Sequence, residues 1–289
     1  MTENERYLFD INGYIVVPEV LSIKEVSEAN RAIDKHSDEI QERTGDLSLS
    51  GVSSTLKGIA GRGDVGGMLT WEKPWCDPFR AMLIHPRVAP YLQALLGLGF
   101  RMDHKPNLIT MREGTEGHVF HGSSGPEFDP RQYYIVRNGR MHNGLMVAAW
   151  QLADQDEGDG GLCVIPGSHK GNFACPEEIR NFEAYHEFIK QITAKAGDVV
   201  IFSEATTHGT LPWRAKHERR SLLFRYSPSC LAYSSSYLSW PEGTLDGLTS
   251  EQRAILEPPY HKEFRENEYN IPQTRDRRMV DYGEAPTKE

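Results

Sequence analysis

The spacing of hydrophobic residues changes near position 100, and the change separates two kinds of predicted structure. Before it, apolar residues recur every three or four positions, which is the spacing of an amphipathic helix. Ser22 and Glu25 form a capping box at the start of one such stretch, so we expect a helix over residues 23–42. Residues 78–96 predict one or two further helices, interrupted by prolines.

After that position, short apolar or alternating runs follow one another, separated by glycine-rich turns. The runs cover residues 107–112, 118–121, 145–152, 162–165, 198–202 and 221–226. Several short strands joined by such turns are typical of a sandwich or barrel, and not of alternating strands and helices. We therefore expect one domain over residues 1–289, with a helical part to about residue 98, a β core over 99–230 and a C-terminal extension over 231–289.

The stretch between the predicted helices, residues 44–70, is rich in glycine and serine and predicts a long loop. A long loop in a compact domain often serves as a lid over a site. Within it, residues 61–66 (GRGDVG) match the GxGxxG pattern. Because no strand precedes the pattern and no clear helix follows it, we do not predict a dinucleotide site.

The amino-acid composition narrows the classes of function. Hydrophobic residues make up 38% of the chain and charged residues 25%, as in ordinary soluble globular proteins. The net charge of −9 argues against binding to nucleic acid polymers or anionic membranes. No apolar run is as long as a membrane span, the acidic N-terminus is unlike a signal peptide, and the four cysteines are scattered. We therefore expect a cytoplasmic protein that acts on a small molecule.

Two histidines and one arginine carry the candidate chemistry. His121 ends a predicted strand, His208 follows the strand predicted over 198–202, and Arg219 enters the next strand. In a β-barrel, neighbouring strands would bring these side chains to one mouth. Neutral imidazoles there can hold Fe(II), and a guanidinium can pair with the far carboxylate of a keto acid that chelates the metal.

The chain resembles the phytanoyl-CoA dioxygenase family over most of its length, from the N-terminal strand and helix to about residue 230. The motifs that carry the resemblance are AWQL at 149–152, GGLCVIPGSHK at 160–170, GDVVIF at 197–202, and HG at 208–209 with Arg219 eleven residues after His208. The resemblance implies a mainly β protein with flanking helices and a double-stranded β-helix core, that is, a cupin-like jelly roll. It also implies an oxygenase that uses Fe(II), 2-oxoglutarate and O2.

The same resemblance assigns roles to individual residues. His121 and His208 correspond to the metal ligands of the family, and Arg219 corresponds to the arginine that binds 2-oxoglutarate. Trp150 and Asn107 fall where the family lines the pocket of this co-substrate.

One position departs from the family pattern. The family has His-x-Asp, whereas this sequence has His121-Gly122-Ser123. A neutral serine does not supply an anionic third ligand, and it does not block the position either. Iron-dependent halogenases of the wider superfamily show the same kind of loss, and chloride takes the vacant site. We therefore expect Ser123 to mark a vacated ligand position, which favours halogenation of a C–H bond over hydroxylation.

Two alternatives stand beside the halogenase. Glu204, four residues before His208, could supply the missing carboxylate and restore hydroxylase chemistry, or it could contact the ligands or the substrate without binding metal. The protein could instead be a binding module that kept the fold and lost the metal site. The presence of His121, His208 and Arg219 argues against that loss.

Other histidines and basic residues near these motifs have a structural interpretation. His118 lies three residues before His121 on a strand, so the alternation of side chains predicts that it faces the other side. His169 lies in the GSHK loop motif and resembles a structural residue of the family. Arg214 and Arg220 are expected to be solvated, although some of the basic residues in this region could bind an anionic substrate.

Overall fold

A computed structural model describes residues 1–122, 129, 131–233 and 238–259 of the chain. The helices within these ranges are α1 (Glu3–Asn12), α2 (Ile23–Lys35), α3 (Asp77–Met82), α4 (Ala89–Leu96), α5 (Glu177–Arg180) and α6 (Ser250–Ile255). The strands are β1 (Tyr14–Val17), β2 (Gln41–Glu42), β3 (Gly63–Val65), β4 (Arg101–Met111), β5 (His118–His121), β6 (Tyr134–Arg137), β7 (Arg140–Asn143), β8 (Met146–Gln151), β9 (Gly161–Val164), β10 (Lys190–Gln191), β11 (Val199–Ser203), β12 (His208–Leu211) and β13 (Arg219–Ser227). None of the helices in this part of the chain is long and apolar enough to cross a membrane.

Two antiparallel sheets form a jelly roll, which is a double-stranded β-helix. The larger sheet has the strand order β1-β11-β8-β13-β4-β3-β2, and the smaller has the order β10-β9-β12-β5. Their inner faces pack together through apolar side chains, among them Val147 and Val200 from the larger sheet and Leu162 and Val164 from the smaller. The predicted mainly β fold with flanking helices is confirmed.

The helices cover the outer face of the larger sheet. One apolar cluster joins Ile33 of α2, Phe79 of α3 and Leu92 of α4 to Leu222 and Phe224 of β13. All five of these side chains are buried. Apolar surface removed from water stabilises a fold by about 25 cal/mol per Å². This cluster holds more buried apolar residues than the clusters between the sheets, so it contributes most of that stabilisation.

Side-chain alternation along β13 assigns its residues to two faces. Leu222 and Phe224 point outward into the helical layer. Leu223 points inward and packs against the clusters between the sheets. Ser221, also on the inner face, accepts a hydrogen bond from Gln151 Nε2 at 3.1 Å. At these positions the inner face therefore carries a polar side chain, whereas the outer face is apolar at Leu222 and Phe224.

The predicted helices occur, with shifted ends. The helix predicted over residues 23–42 ends at Lys35, because His36 leaves helical geometry and stacks on the ring of Trp71 at a centroid distance of 3.9 Å. The helices expected in the next apolar stretch are α3 and α4. Pro90 lies in the first turn of α4, where a missing backbone N–H does not break the helix.

Helix α1 was not predicted from the apolar pattern, since Phe9 is its one buried residue. Gly13 ends the helix with a φ of 78°. A Cβ atom at Gly13 would lie 2.4 Å from Thr206 Oγ1 and 2.6 Å from His169 Nδ1. Glycine is therefore required here both by the left-handed backbone and by the close approach of α1 to the loop before β12.

The segment predicted as a loop over residues 44–70 has two parts. The first runs along the edge of β5, where Val119 N–H donates to Leu49 O at 3.0 Å and Gly117 N–H donates to Leu56 O at 2.7 Å. These bonds cover strand groups that would otherwise be open to pairing with another chain. The second part contains β3, which pairs with β4 and carries the GRGDVG pattern into the larger sheet.

Candidate active site

Three side chains from different elements meet between the two sheets. His121 ends β5 and His208 begins β12, and the two residues are direct partners in the antiparallel ladder. Glu204 follows β11 directly, so it approaches from the larger sheet. One ligand atom from each residue lies within 4.8 Å of the other two, and Glu204 Oε2 lies 3.7 Å from His208 Nε2. The structure thus brings together both histidines expected to bind metal and the alternative carboxylate.

Backbone carbonyl groups fix the orientation of both imidazoles. His208 Nδ1 lies 2.7 Å from the carbonyl oxygen of Thr206, and His121 Nδ1 lies 3.1 Å from that of Val119. Because a carbonyl oxygen can only accept a hydrogen bond, each Nδ1 carries the proton and donates it. Each Nε2 then keeps its lone pair, which is the form in which histidine binds a metal ion.

The electrostatics favour neutral His208 beside ionised Glu204. Burial, reinforced by the neighbouring His121, lowers the pKa of His208 to about 4. Burial alone would raise the pKa of Glu204, but the contact with His208 and the positive charge of Arg225 lower it below its ordinary value. Arg225 Nε lies 3.5 Å from Glu204 Oε1 and is the cation that holds this carboxylate ionised at neutral pH.

The donor set of this cluster fits a divalent iron ion. Two neutral imidazoles and one carboxylate are the ligands of the 2-His-1-carboxylate iron sites. Glu204 and His208 are only 7% and 6% exposed, whereas His121 is partly exposed, so the cluster is open on one side. These three residues could therefore hold Fe(II) and leave coordination positions for other ligands.

Arg219 lies on the inner face of β13 and is 3% exposed. Its Nε donates to Gln155 Oε1 at 2.9 Å, and its Nη1 lies 3.3 Å from Met111 Sδ. Gly161 leaves room for this pair, because a Cβ atom there would lie 2.2 Å from Gln155 Oε1 and 3.1 Å from Arg219 Nε. The second glycine of the family motif, Gly161, is thus explained by the space that Gln155 and Arg219 need.

The buried guanidinium of Arg219 lacks an anionic partner among the residues that the structure describes, where its hydrogen-bond acceptors are a glutamine and a methionine. Burial lowers the pKa of Arg219 to about 10, so the group is still charged at neutral pH. A buried cation without a counter-charge is unfavourable until an anion binds. This environment suits the carboxylate of a bound keto acid. Gln155, which holds the arginine, follows β8 in a turn that no sequence motif singles out.

Asn107 belongs to a second polar group, which also includes Arg62 and Asp64. Asn107 Nδ2 donates to Asp64 Oδ1 at 3.0 Å, and Arg62 Nη2 lies 3.0 Å from the same oxygen. Arg62 and Asp64 come from the GRGDVG pattern, for which the sequence predicted no binding role. Only the pairing of β3 with β4 brings them to the inner face.

Arg225 was not predicted as a site residue either, although the sequence contains a signal for its position. It lies six residues after Arg219 on the same strand. Residues an even number apart on a strand share a face, so alternation alone places both arginines on the inner side.

Trp150 does not lie where the family resemblance places it. Its ring is fully buried in the helical layer, with centroid distances of 5.6 Å to His85 and 6.1 Å to Phe224. The neighbouring Ala149 points to the inner face instead. The prediction that Trp150 lines the co-substrate pocket is therefore corrected: the residue packs in the core on the opposite face of β8.

His118 faces the same side as His121, contrary to the expectation from alternation. His118 pairs with Thr210 and His121 pairs with His208, so β5 has one residue more than β12 between the two pairs. This β-bulge reverses the alternation and brings the two rings to a centroid distance of 4.6 Å. Ser123, the position of the missing acid, lies outside the residues that the structure describes.

The other residues with a structural interpretation lie away from the cluster. His169 Nε2 donates to Asp10 O at 3.0 Å and so ties its loop to α1. Arg220 lies next to Arg219 on the opposite face of β13, where Asp34 and Glu218 neutralise it at 2.7 and 2.6 Å. Arg214 is exposed.

Comparison with known proteins identifies the family of the chain. The family model for phytanoyl-CoA dioxygenase (PhyH) matches residues 9–221. The search of curated proteins gave no match. Among solved structures, HygX from Streptomyces hygroscopicus with nickel and 2-oxoglutarate bound is similar, with a TM-score of 0.64 and 18% identity over 83% of this chain and 97% of that chain.

Two enzymes of nogalamycin biosynthesis share the fold as well. The non-heme alpha-ketoglutarate-dependent carbocyclase SnoK has a TM-score of 0.56 and 15% identity over 90% of this chain and 92% of its own. The epimerase SnoN has a TM-score of 0.54 and 19% identity over the same shares of the two chains. Since these identities are low, the structural matches establish the fold, whereas the family match covers most of the chain. The chain belongs to the phytanoyl-CoA dioxygenase family and is an oxygenase-type enzyme dependent on iron and 2-oxoglutarate.

Proposed function

We propose that the protein hydroxylates a C–H bond of a small molecule, with iron held by His121, His208 and Glu204. The observation that carries this proposal is the convergence of the three ligand atoms within 4.8 Å of one another. Glu204 makes a carboxylate available from β11, although position 123 holds a serine. Glu204, which follows β11, then occupies the ligand position that Ser123 was expected to leave vacant.

The side chains around the iron ligands each have a defined task in this proposal. Arg219 binds the far carboxylate of 2-oxoglutarate, and Gln155 keeps its guanidinium in place through the Nε bond. Asn107 lines the same pocket. Phe202, whose ring lies 4.8 Å from that of His208, keeps water from the inner side of the cluster.

The reaction balances without any further reductant. When bound, Fe(II) and 2-oxoglutarate supply the oxidation: one oxygen atom of O2 enters succinate as 2-oxoglutarate loses CO2, and the other enters the substrate as a hydroxyl group. Substrate-dependent formation of succinate would separate this enzyme from a binding module on the same fold.

The role of Glu204 can be tested by anaerobic titration with Fe(II) in the presence of 2-oxoglutarate, followed through the visible charge-transfer band. In Glu204→Gln the iron affinity should fall by about 100-fold or more, since loss of a residue that only supports the ligands costs about 10–100-fold. Glu218→Gln is the matched control, because Glu218 pairs with Arg220 on the outer side of β13. A fall of less than about 100-fold would show that Glu204 supports the ligands and does not itself bind the metal.

Halogenation is the second candidate, and the identity of Ser123 favours it. Here chloride replaces a substrate hydrogen, while 2-oxoglutarate becomes succinate and CO2 and the remaining oxygen atom leaves as water. A halide needs room and positive charge at the metal, and loss of a carboxylate provides both.

Chloride separates the two candidates. If chloride shifts the charge-transfer band, a coordination position is open to halide and halogenation is supported. If the band does not respond, Glu204 occupies the position and hydroxylation is supported. Ser123→Asp gives a second test: a halogenase should lose halogenation and gain hydroxylation, whereas unchanged halogenation would contradict the vacant-site mechanism.

A further inference from the structure

The inner side of the larger sheet and its rim carry more positive charge than the proposed function uses. The guanidinium groups belong to Arg43, Arg62, Arg219 and Arg225, and the carboxylates beside them belong to Asp64 and Glu204. Among the residues that the structure describes, these four positive and two negative charges leave a formal surplus of two positive charges. The whole chain carries a net charge of −9, so this surplus is a local feature.

One carboxylate serves two of these arginines. Asp64 pairs with Arg62 Nη2 at 3.0 Å and also with Arg43 Nε, and it accepts a hydrogen bond from Asn107. The side chains of Arg62 and Asp64 are each 12% exposed, so water screens this group only weakly. The single charge of Asp64 is thus shared between the largely buried Arg62 and Arg43, whose side chain is 37% exposed.

Within the described part of the chain, Arg225 has one counter-charge, the carboxylate of Glu204. Its contact with Glu204 is 3.5 Å long, and Glu204 is also the proposed iron ligand. A carboxylate that binds a metal shares its negative charge with that metal. When iron is bound, Arg225 therefore retains less of its counter-charge than the distance alone suggests.

Binding of iron and the co-substrate does not remove the surplus. The two charges of Fe(II) and the two of 2-oxoglutarate cancel in a formal count, and Arg219 is committed to the co-substrate. Burial and the positive charges of Arg43 and Arg225 lower the pKa of Arg62, and burial and the positive charge of Arg62 lower the pKa of Arg219. Arg62 therefore repels both Arg219 and Arg225. The remaining excess lies on Arg62 and Arg225, on the inner face that also carries the iron ligands.

We propose that the substrate of this enzyme carries an anionic oxygen group, such as a carboxylate, sulfate or phosphate, which binds to Arg62 and Arg225. Both guanidinium groups offer N–H donors suited to oxyanions. An anion there would offset the cost of keeping two cations in a weakly solvated pocket. This inference rests on the proposed function, because it assumes that iron and 2-oxoglutarate occupy the remainder of the site.

The test uses inorganic sulfate as a minimal anionic probe. The full-length protein is loaded anaerobically with Ni(II) and saturating 2-oxoglutarate, and the uptake of each is measured before sulfate is titrated by calorimetry. We expect saturable binding of one sulfate per chain, at least tenfold weaker in Arg62→Gln and in Arg225→Gln. Arg220→Gln is the matched control and should bind sulfate like the wild type, because Arg220 lies on the outer face.

The design separates failure of this inference from failure of the proposed function. If Ni(II) and 2-oxoglutarate bind but sulfate does not, or if sulfate binds equally to all variants, only the anionic-substrate inference is wrong. If Ni(II) and 2-oxoglutarate do not bind, the proposed function fails and this inference falls with it. Arg62→Lys guards against loss of folding at the buried position, since it keeps the charge beside Asp64 and should retain most of the sulfate affinity.

Discussion

The two faces of the larger sheet differ in what their burial achieves. On the outer face, Trp150, Leu222 and Phe224 are fully buried against the helices, and their removal from water stabilises the fold. On the inner face, Arg219 is almost as deeply buried and its burial is unfavourable until an anion binds. Neighbouring residues of one strand thus serve opposite purposes. This jelly roll can hold charged groups between its sheets because the large apolar cluster on the outer face of the sheet also stabilises the fold.

The largest effect on stability is expected from Trp150→Ala. Loss of a buried aromatic side chain leaves a cavity in the helical layer, and such changes cost about 3–5 kcal/mol. The free energy of unfolding, measured by urea denaturation, should fall by this amount, while the folded protein keeps its affinity for Fe(II) and 2-oxoglutarate. Trp75→Ala is the control and should cost less, because Trp75 is only partly buried. Unchanged stability together with a loss of 2-oxoglutarate affinity would place Trp150 in the pocket after all.

His169 shows that a buried polar group can be structural. Burial lowers its pKa from 6.5 to about 4. As the pH falls through this window, the unfolded chain binds a proton more readily than the folded protein does, so stability is lost with falling pH. At 1.36 kcal/mol per pKa unit, the loss between pH 7 and pH 4 is about 3 kcal/mol.

The variant His169→Gln should remove this part of the acid sensitivity from the metal-free protein. It is measured as the difference between the unfolding free energies at pH 7 and pH 4, relative to the wild type. His186→Gln, at an exposed position, is the control and should behave like the wild type. An acid sensitivity that His169→Gln leaves unchanged would mean that other groups, such as His118 and His208, cause it.

Arg219→Gln tests the inner face. The affinity for 2-oxoglutarate, measured by calorimetry with Ni(II) bound, should fall by about 100-fold, or about 2.7 kcal/mol, because loss of one partner of a buried charge pair costs about 2–5 kcal/mol. The stability of the unliganded protein should not fall, since the variant removes a buried charge that has no counter-charge among the described residues. Arg220→Gln, one residue away on the outer face, should leave the 2-oxoglutarate affinity unchanged. Equal losses in both variants would contradict the assignment of the two faces.

The sequence predicted those features that depend on regular local patterns. The capping box at Ser22, the strand predicted over 221–226 and the strand end at His121 each follow from a short stretch of chain. The family resemblance then related distant stretches, and the jelly roll and the pairing of the two histidines agree with it.

The features that the sequence could not predict depend on contacts between distant segments. The bulge in β5, which turns His118 towards His121, arises from pairing with β12 and leaves no mark in the local pattern. The position of Arg62 depends on the pairing of β3 with β4. Trp150 was misplaced because a family motif identifies a strand but does not say which of its two faces a residue occupies in this chain.

Ser22→Ala gives the smallest predicted effect and tests how far the outer layer is independent of the site. Ser22 Oγ accepts a hydrogen bond from Glu25 N–H, and Ser22 N–H donates to Glu25 Oε2 at 2.8 Å. Loss of an N-cap costs about 1 kcal/mol, so the free energy of unfolding should fall by about that amount. The cap lies on the helical layer and contacts none of the inner-face groups, so the affinities for Fe(II) and 2-oxoglutarate should not change. A change in either affinity would mean that α2 transmits strain through the larger sheet, and the two faces could then no longer be treated as separate.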